Sequence, residues 1–199
     1  MSTHAGRPGE EHPIGVLLVN SGSPDSLAIA DVRDFLRQLL SDPRVIETPR
    51  ALWLPILHGA ILPTRPRSIV RKYRKIWTPY GSPLLLHSRE LQVSLSRELA
   101  LHTLTAPFRV EIAMLYSQPS VKEAIARLCD TGVQKILVLP LFPQYCAATT
   151  GRDFHYIPAL DARPDHAVLL RDLVIQHAQG WLSAERPAHD IRHSLDAAA

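Results

Sequence analysis

A chain of 199 residues, 46% hydrophobic and 21% charged, is long enough to bury one sizeable core and has the composition of a soluble globular domain. A net charge of +3 with no long basic tail gives no reason to expect nucleic acid, and no stretch reaches the roughly 18 apolar residues that span a bilayer. The two cysteines, Cys129 and Cys146, fit no metal or redox spacing and read as reduced thiols of a cytoplasmic protein.

Residues 1–12 are polar, lack the apolar centre of a signal peptide, and read as a disordered lead-in. Ile14 to Asn20 is a continuous apolar run closed by Ser-Gly-Ser-Pro, the pattern of a buried parallel strand. Leu27 to Leu40 has helical spacing, with Ile29, Val32, Phe35, Leu36, Leu39 and Leu40 as its apolar positions, and Asp42-Pro43 stops it. Arg50 to Leu62 is apolar almost all round. Pro55 and Pro63 are expected to break it, leaving a short, kinked or membrane-hugging helix. Arg67 to Ile76 predicts another helix and Pro83 to His102 a longer one.

Phe108 to Tyr116 alternates as a strand does. Ser120 to Cys129 predicts a helix with Ser120 as N-cap and Glu123 three residues on, a capping box, ended at Gly132. Lys135 to Leu141 is a second buried strand. Strand, helix and strand at this spacing make a βαβ unit, so the sheet should be parallel with right-handed crossovers. Ligands of open parallel sheets bind beyond the carboxyl ends of the strands, so the loops at 20–25, 116–119 and 141–151 should share one rim. That places Ser21 and Tyr116 near any site. From about Arg163 the regular pattern weakens.

Three constellations could carry chemistry. Arg65, Arg67, Arg71, Lys72, Arg74 and Lys75 place six cations within eleven residues with no acid among them. Like charges sharing a helix face repel, so this is either a solvated basic face or a site for carboxylates, which Arg forks fit well. Tyr73, Trp77 and Tyr80 beside them suit a flat apolar ligand with acidic edges, although Tyr73 and Trp77 also have the spacing of a core stripe. Pro140 to Gly151 runs from a strand end into Thr149 and Thr150, which either cap a helix or hold an anion at its N-terminus. None of the ten histidines has the paired spacing of a metal site, and Asp153 with His155 is a weak metal signal.

Four segments resemble ferrochelatases in order and spacing: V-N-S-G-S-P-D-S at 19–26, L-S-D-P-R-V-I at 40–46, Y-R-K-I-W-T-P-Y-G-S-P at 73–83 and L-P-L-F-P-Q-Y-C-A-A-T-T-G at 139–151. The resemblance implies an α/β fold, a three-layer parallel sheet with helices on both faces, as a single chelatase-like lobe over residues 13–165. A divergent partial tail occupies 166–199. It implies insertion of ferrous iron into protoporphyrin IX in haem biosynthesis, with Fe²⁺ as substrate and no cofactor required. Matched position by position, the porphyrin-contacting tyrosine is Tyr73, the preceding basic residue Lys72, and the serine of the G-S-P motif Ser82. Ser21 takes a pocket-floor position and Arg37 that of an arginine facing the cleft, while Arg65, from the basic cluster, joins Lys72, Tyr73 and Ser82 in the alternative of a porphyrin-binding module.

The departures matter too. Where the family reads A-M-R-Y-G-N-P, this chain has Leu115 in place of the arginine, and Cys146 and Ala148 stand in the loop usually reading Y-S-A-S-T-T-G-S. Nothing matches the family's S-F-H-G-[LI]-P segment or its later glutamate, so no catalytic residue and no metal ligand is assigned. Such a chain is expected to bind porphyrin without metallating it. The alternatives are a non-catalytic porphyrin-binding module or partner subunit, and a small homodimeric chelatase using His155. A lobe without its counterpart should expose an apolar face and self-associate.

Overall fold

The computed structural model describes residues 12–102, 107–141 and 164–182. The strand β1, Ile14–Asn20, is buried along nearly its whole length. It is flanked by β2, Phe108–Met114, and β3, Lys135–Pro140, in the order β2-β1-β3, both neighbours parallel to it. The register pairs Val16 with Val110 and Leu137, and Leu18 with Ile112 and Leu139. A central strand with no polar face fits this position, because a parallel sheet is covered on both sides.

Six α-helices complete the described chain: α1, Ile29–Ser41; α2, Arg50–Ile56; α3, Leu62–Tyr73; α4, Pro83–His102; α5, Val121–Asp130; and α6, Pro164–Leu182. On one side of the sheet Val16, Leu18, Val110, Ile112 and Met114 meet Leu91, Leu95 and Leu99 of α4 and Ala167, Leu170 and Val174 of α6. On the other side Leu17, Val19 and Ala113 meet Ala124 and Leu128 of α5. The three-layer α/β arrangement expected from the sequence is thus present. Each fully buried leucine contributes about 2 kcal/mol of apolar transfer.

The capping box forms as predicted: Ser120 Oγ accepts from the Glu123 amide at 3.3 Å and the Glu123 carboxylate accepts from the Ser120 amide at 3.1 Å. An N-cap of this kind stabilises its helix by about 1 kcal/mol. Gly132, at φ +81°, takes the left-handed conformation just after the helix end.

The prolines behave differently from the sequence expectation. Residues 50–73 run on as one helical path, with a π-helical turn, Leu57–Ile61, between α2 and α3. Pro55 and Pro66 lie inside helices and Pro63 at the start of α3. The wider turn includes Gly59, whose carbonyl Pro63 cannot meet, and Thr64 Oγ1 donates back to the Ala60 carbonyl at 2.6 Å. The helix expected over 67–76 therefore begins earlier, at Leu62, and ends at Tyr73. Helices α1 to α3 build a third apolar cluster from Val32, Leu36, Leu57, Leu62 and Val70. Leu52 and Ile56, 62% and 44% exposed, face outward from α2.

The outer edge of β2 is partly covered, by one side chain and by the main chain that follows the strand. Gln92 Nε2 donates to the Val110 carbonyl at 2.7 Å, and the Met114 amide donates to the Pro119 carbonyl at 2.8 Å. The helix α6 lies where the sequence pattern weakens, and Arg171 on it pairs with Glu98 of α4 at 3.3 Å.

Candidate functional site

The loops after β1 and β2 share one rim, as expected, while all but Leu141 of the loop expected over 141–151 lies outside the described residues. The Leu115 amide donates to the Asn20 carbonyl at 2.9 Å, Tyr116 to Ser21 at 3.1 Å, and Leu141 to Val19 at 2.8 Å. The Ser23 amide donates to Ser117 Oγ at 3.2 Å and the Gln118 amide to Asp25 at 3.3 Å. The loops after β1 and β2 are therefore laced together. Gly22, at φ +96°, makes that approach, because a Cβ there would overlap Ser117 Oγ.

A cavity of about 720 Å³ opens beside this rim. Ser23 and Asp25 line it from the first loop, Tyr80 and Ser82 from the turn before α4, Leu85, Arg89 and Gln92 from α4, and Glu111, Glu123 and Arg127 from β2 and α5. Arg127 is neutralised by Glu111 at 3.0 Å. Asp25 accepts from an amide, and Glu123 belongs to the capping box. Arg89 is the cation of the cavity with no ion-pair partner among the described residues.

The six residues singled out from sequence are spread over two units, the strand rim with the turn before α4 and the helical unit α1–α3. Ser82 lines the cavity and is buried, its carbonyl accepting from the Leu86 amide at 3.1 Å. Ser21 sits half-buried on the rim, its amide donating to Asn20 Oδ1 at 2.8 Å. Arg37 is exposed on α1 and donates to Asp34 at 3.3 Å. Arg65, Lys72 and Tyr73 lie on α3, the two cations exposed and Tyr73 half-buried. Tyr73 meets Trp77 edge-to-face at 5.9 Å, and burial pushes its phenol above the ordinary value. Both rings are half-buried, and neither belongs to an apolar core cluster among the described residues. None of the six cations at 65–75 pairs with an acid among the described residues. Cys146, Ala148, Thr149, Thr150, Asp153 and His155 lie outside the described residues. Among the described residues no three His, Cys, Asp or Glu side chains gather as a metal site, and no helix is long and apolar enough to cross a membrane.

One polar contact spans the two units. Tyr116 Oη donates to Asp42 Oδ2 at 2.8 Å, and Asp42 Oδ1 accepts from the Arg44 amide at 2.8 Å. The Arg44 amide, the Tyr116 hydroxyl and the Arg44 charge hold the Asp42 carboxyl below its ordinary value against the opposing effect of burial. Burial and the neighbouring carboxylate push Tyr116 up to about 12. A raised pKa means the folded state favours the neutral phenol. That contribution is complete below the ordinary tyrosine value of about 10 and is lost as pH rises through about 12. Ultraviolet titration at alkaline pH is expected to show one of the five tyrosines ionising near 12, a step absent in Tyr116→Phe.

Among protein families, the Ferrochelatase model matches residues 13–154, most of the chain. The chain belongs to the ferrochelatase family. It is 43% identical over 177 residues to the ferrochelatase of Bordetella pertussis, covering 85% of this chain and 47% of that protein. It is 45% identical over 146 residues to that of Proteus mirabilis, covering 73% and 44%. With that of Chromobacterium violaceum the identity is 47% over 141 residues, covering 69% and 37%. The chain thus spans less than half the length of these ferrochelatases.

Two groups of this ferrochelatase-family lobe were missed from sequence. Leu85, Arg89 and Gln92 follow Ser82 at intervals of three to four residues, so one stripe of α4 could have been read as facing the same cavity as that serine. The Asp42 contact left no such signal, since its partner is 74 residues away.

Proposed function

We propose that this chain is the porphyrin-binding part of a ferrochelatase of haem biosynthesis, whose substrates are protoporphyrin IX and ferrous iron. The observation that carries the reading is the cationic flank of α3, Arg65 and Lys72, with no acidic partner among the described residues, next to half-buried Tyr73 in a chain of this family. Two carboxylate-bearing side chains of the porphyrin pair with Arg65 and Lys72, while the flat macrocycle lies against Tyr73. Ser82, Ser21 and Arg37 complete the polar contacts from the rim and from α1. Insertion displaces the two pyrrole protons, and no residue of this chain is assigned to take them.

The outward Leu52 and Ile56 of α2 support peripheral contact with a membrane surface or with a second copy of the chain. We place the protein in the cytoplasm, in keeping with two cysteines at no disulfide or metal spacing.

The test is an anaerobic absorbance and fluorescence titration of the purified chain with protoporphyrin, then with Fe²⁺ or Zn²⁺. A protein-dependent spectral shift is expected, weakened about tenfold in Arg65→Ala/Lys72→Ala, or roughly 1.4 kcal/mol. Absence of any shift would overturn the reading. A shift without metalloporphyrin formation above the protein-free control assigns this chain binding alone.

A further inference from the structure

We propose that Tyr116 is a positioning residue that fixes the spacing between the helical unit α1–α3 and the strand rim. Its amide donates to the carbonyl of Ser21, and its hydroxyl, at the far end of the same side chain, donates to Asp42 just past the end of α1. The receiving carboxylate is itself immobilised, because its second oxygen accepts from the Arg44 amide. Among the described residues no other side-chain hydrogen bond links α1–α3 to the strands or to the loop after β2.

What is held at Asp42 is held throughout the helical unit. Trp53 Nε1 donates to the Leu40 carbonyl at 2.7 Å, tying α2 to the last turn of α1. Val32 and Leu36 pack α1 against Leu62 and Val70 of α3. A shift of the α1 end therefore moves Arg65, Lys72 and Tyr73 relative to Ser21. The side chain that does this is a rigid ring with two torsions, so its reach is nearly fixed. This inference rests on the reading that α3 and the rim hold one porphyrin between them, since only then does the spacing matter for affinity.

The test has two arms, both on the full chain with Cys129 and Cys146 replaced by serine. In the first, spin labels at Arg67→Cys on α3 and Lys122→Cys on α5 report the distance between the units. The parent should give one narrow distribution, broadened in Tyr116→Phe and in Asp42→Leu. Asp42→Asn, whose side-chain oxygen keeps the Arg44 amide while its NH2 donates to the phenol oxygen, should restore it. In the second arm protoporphyrin affinity should fall about three- to tenfold in Tyr116→Phe and Asp42→Leu and stay near the parent in Asp42→Asn. An unchanged distance distribution in Tyr116→Phe overturns the inference, including when its melting temperature drops, because the contact is then a structural one only. If the parent chain binds no porphyrin while the distance still broadens, the porphyrin reading fails and the spacing role stands. If the parent binds and Tyr116→Phe alters neither arm, the inference fails alone.

Discussion

Replacing Leu95 by alanine is expected to destabilise the protein by about 3 kcal/mol. Leu95 is fully buried in the middle of α4, in the cluster shared by β1, β2 and α6. Removing its branched end leaves a void walled by a hydrogen-bonded sheet on one side and a helix on the other, and neither can move in to fill it. For a chain of this length that loss lowers the melting temperature by about 10 °C. Val93, on the same helix but 68% exposed, is the matched control, and Val93→Ala should change stability by less than about 0.5 kcal/mol. Urea unfolding of the two variants decides the matter. A Leu95→Ala loss below about 1 kcal/mol would mean that α4 and α6 do not clamp the sheet as described.

Gly22→Ala is expected to cost about 2 kcal/mol and to disturb the rim at the same time. Two penalties combine. The backbone sits at φ +96°, which an L side chain rarely adopts, and the new methyl would overlap Ser117 Oγ while crowding Met114 Cβ at 3.2 Å. Relief requires Ser117 to turn away, which withdraws the acceptor of the Ser23 amide and leaves that buried donor unpaired. The expected signature is lower stability together with weaker porphyrin binding. Ser117→Ala in the Gly22→Ala background should recover part of the stability by making room, while the Ser23 amide stays unpaired. No recovery would show that the backbone conformation alone sets the cost.

Much of the fold is legible in the residues because local and global demands agree. Ile14 to Asn20 has no polar face and becomes the strand that has none. Ser120 and Glu123 announce a helix start, and the structure closes both bonds. One expectation failed for a physical reason. Pro55 and Pro63 read as breaks, but the path stays helical, and Pro63 follows a π-turn that includes Gly59, whose carbonyl it cannot meet. The regular pattern fades just where α6 begins, because Val168, Leu169 and Ile175 surround its contact stripe of Ala167, Leu170, Val174 and Ala178. An apolar helix with small residues at its contacts gives a blurred period.

The candidate site is less legible than the fold. Its residues can be named from motif resemblance, yet their grouping cannot. Ser82 joins a cavity with Arg89 and Gln92, whereas Lys72 and Tyr73, ten residues earlier, belong to a different packing unit. Which unit a residue joins depends on long-range contacts such as Tyr116 with Asp42, and these carry no local signature.

The partly covered edge of β2 bears on association with other chains. Gln92 occupies the Val110 carbonyl, and Pro119 takes the Met114 amide. By the alternation of a parallel strand, Phe108 and Ile112 also face outward, but Gln92 stands between them. The stretch offered to an incoming strand is thus interrupted at Val110 and closed at Met114, which makes this flank a poor template for pairing with another chain. The side-chain amide of one glutamine serves here as a guard against edge-to-edge association.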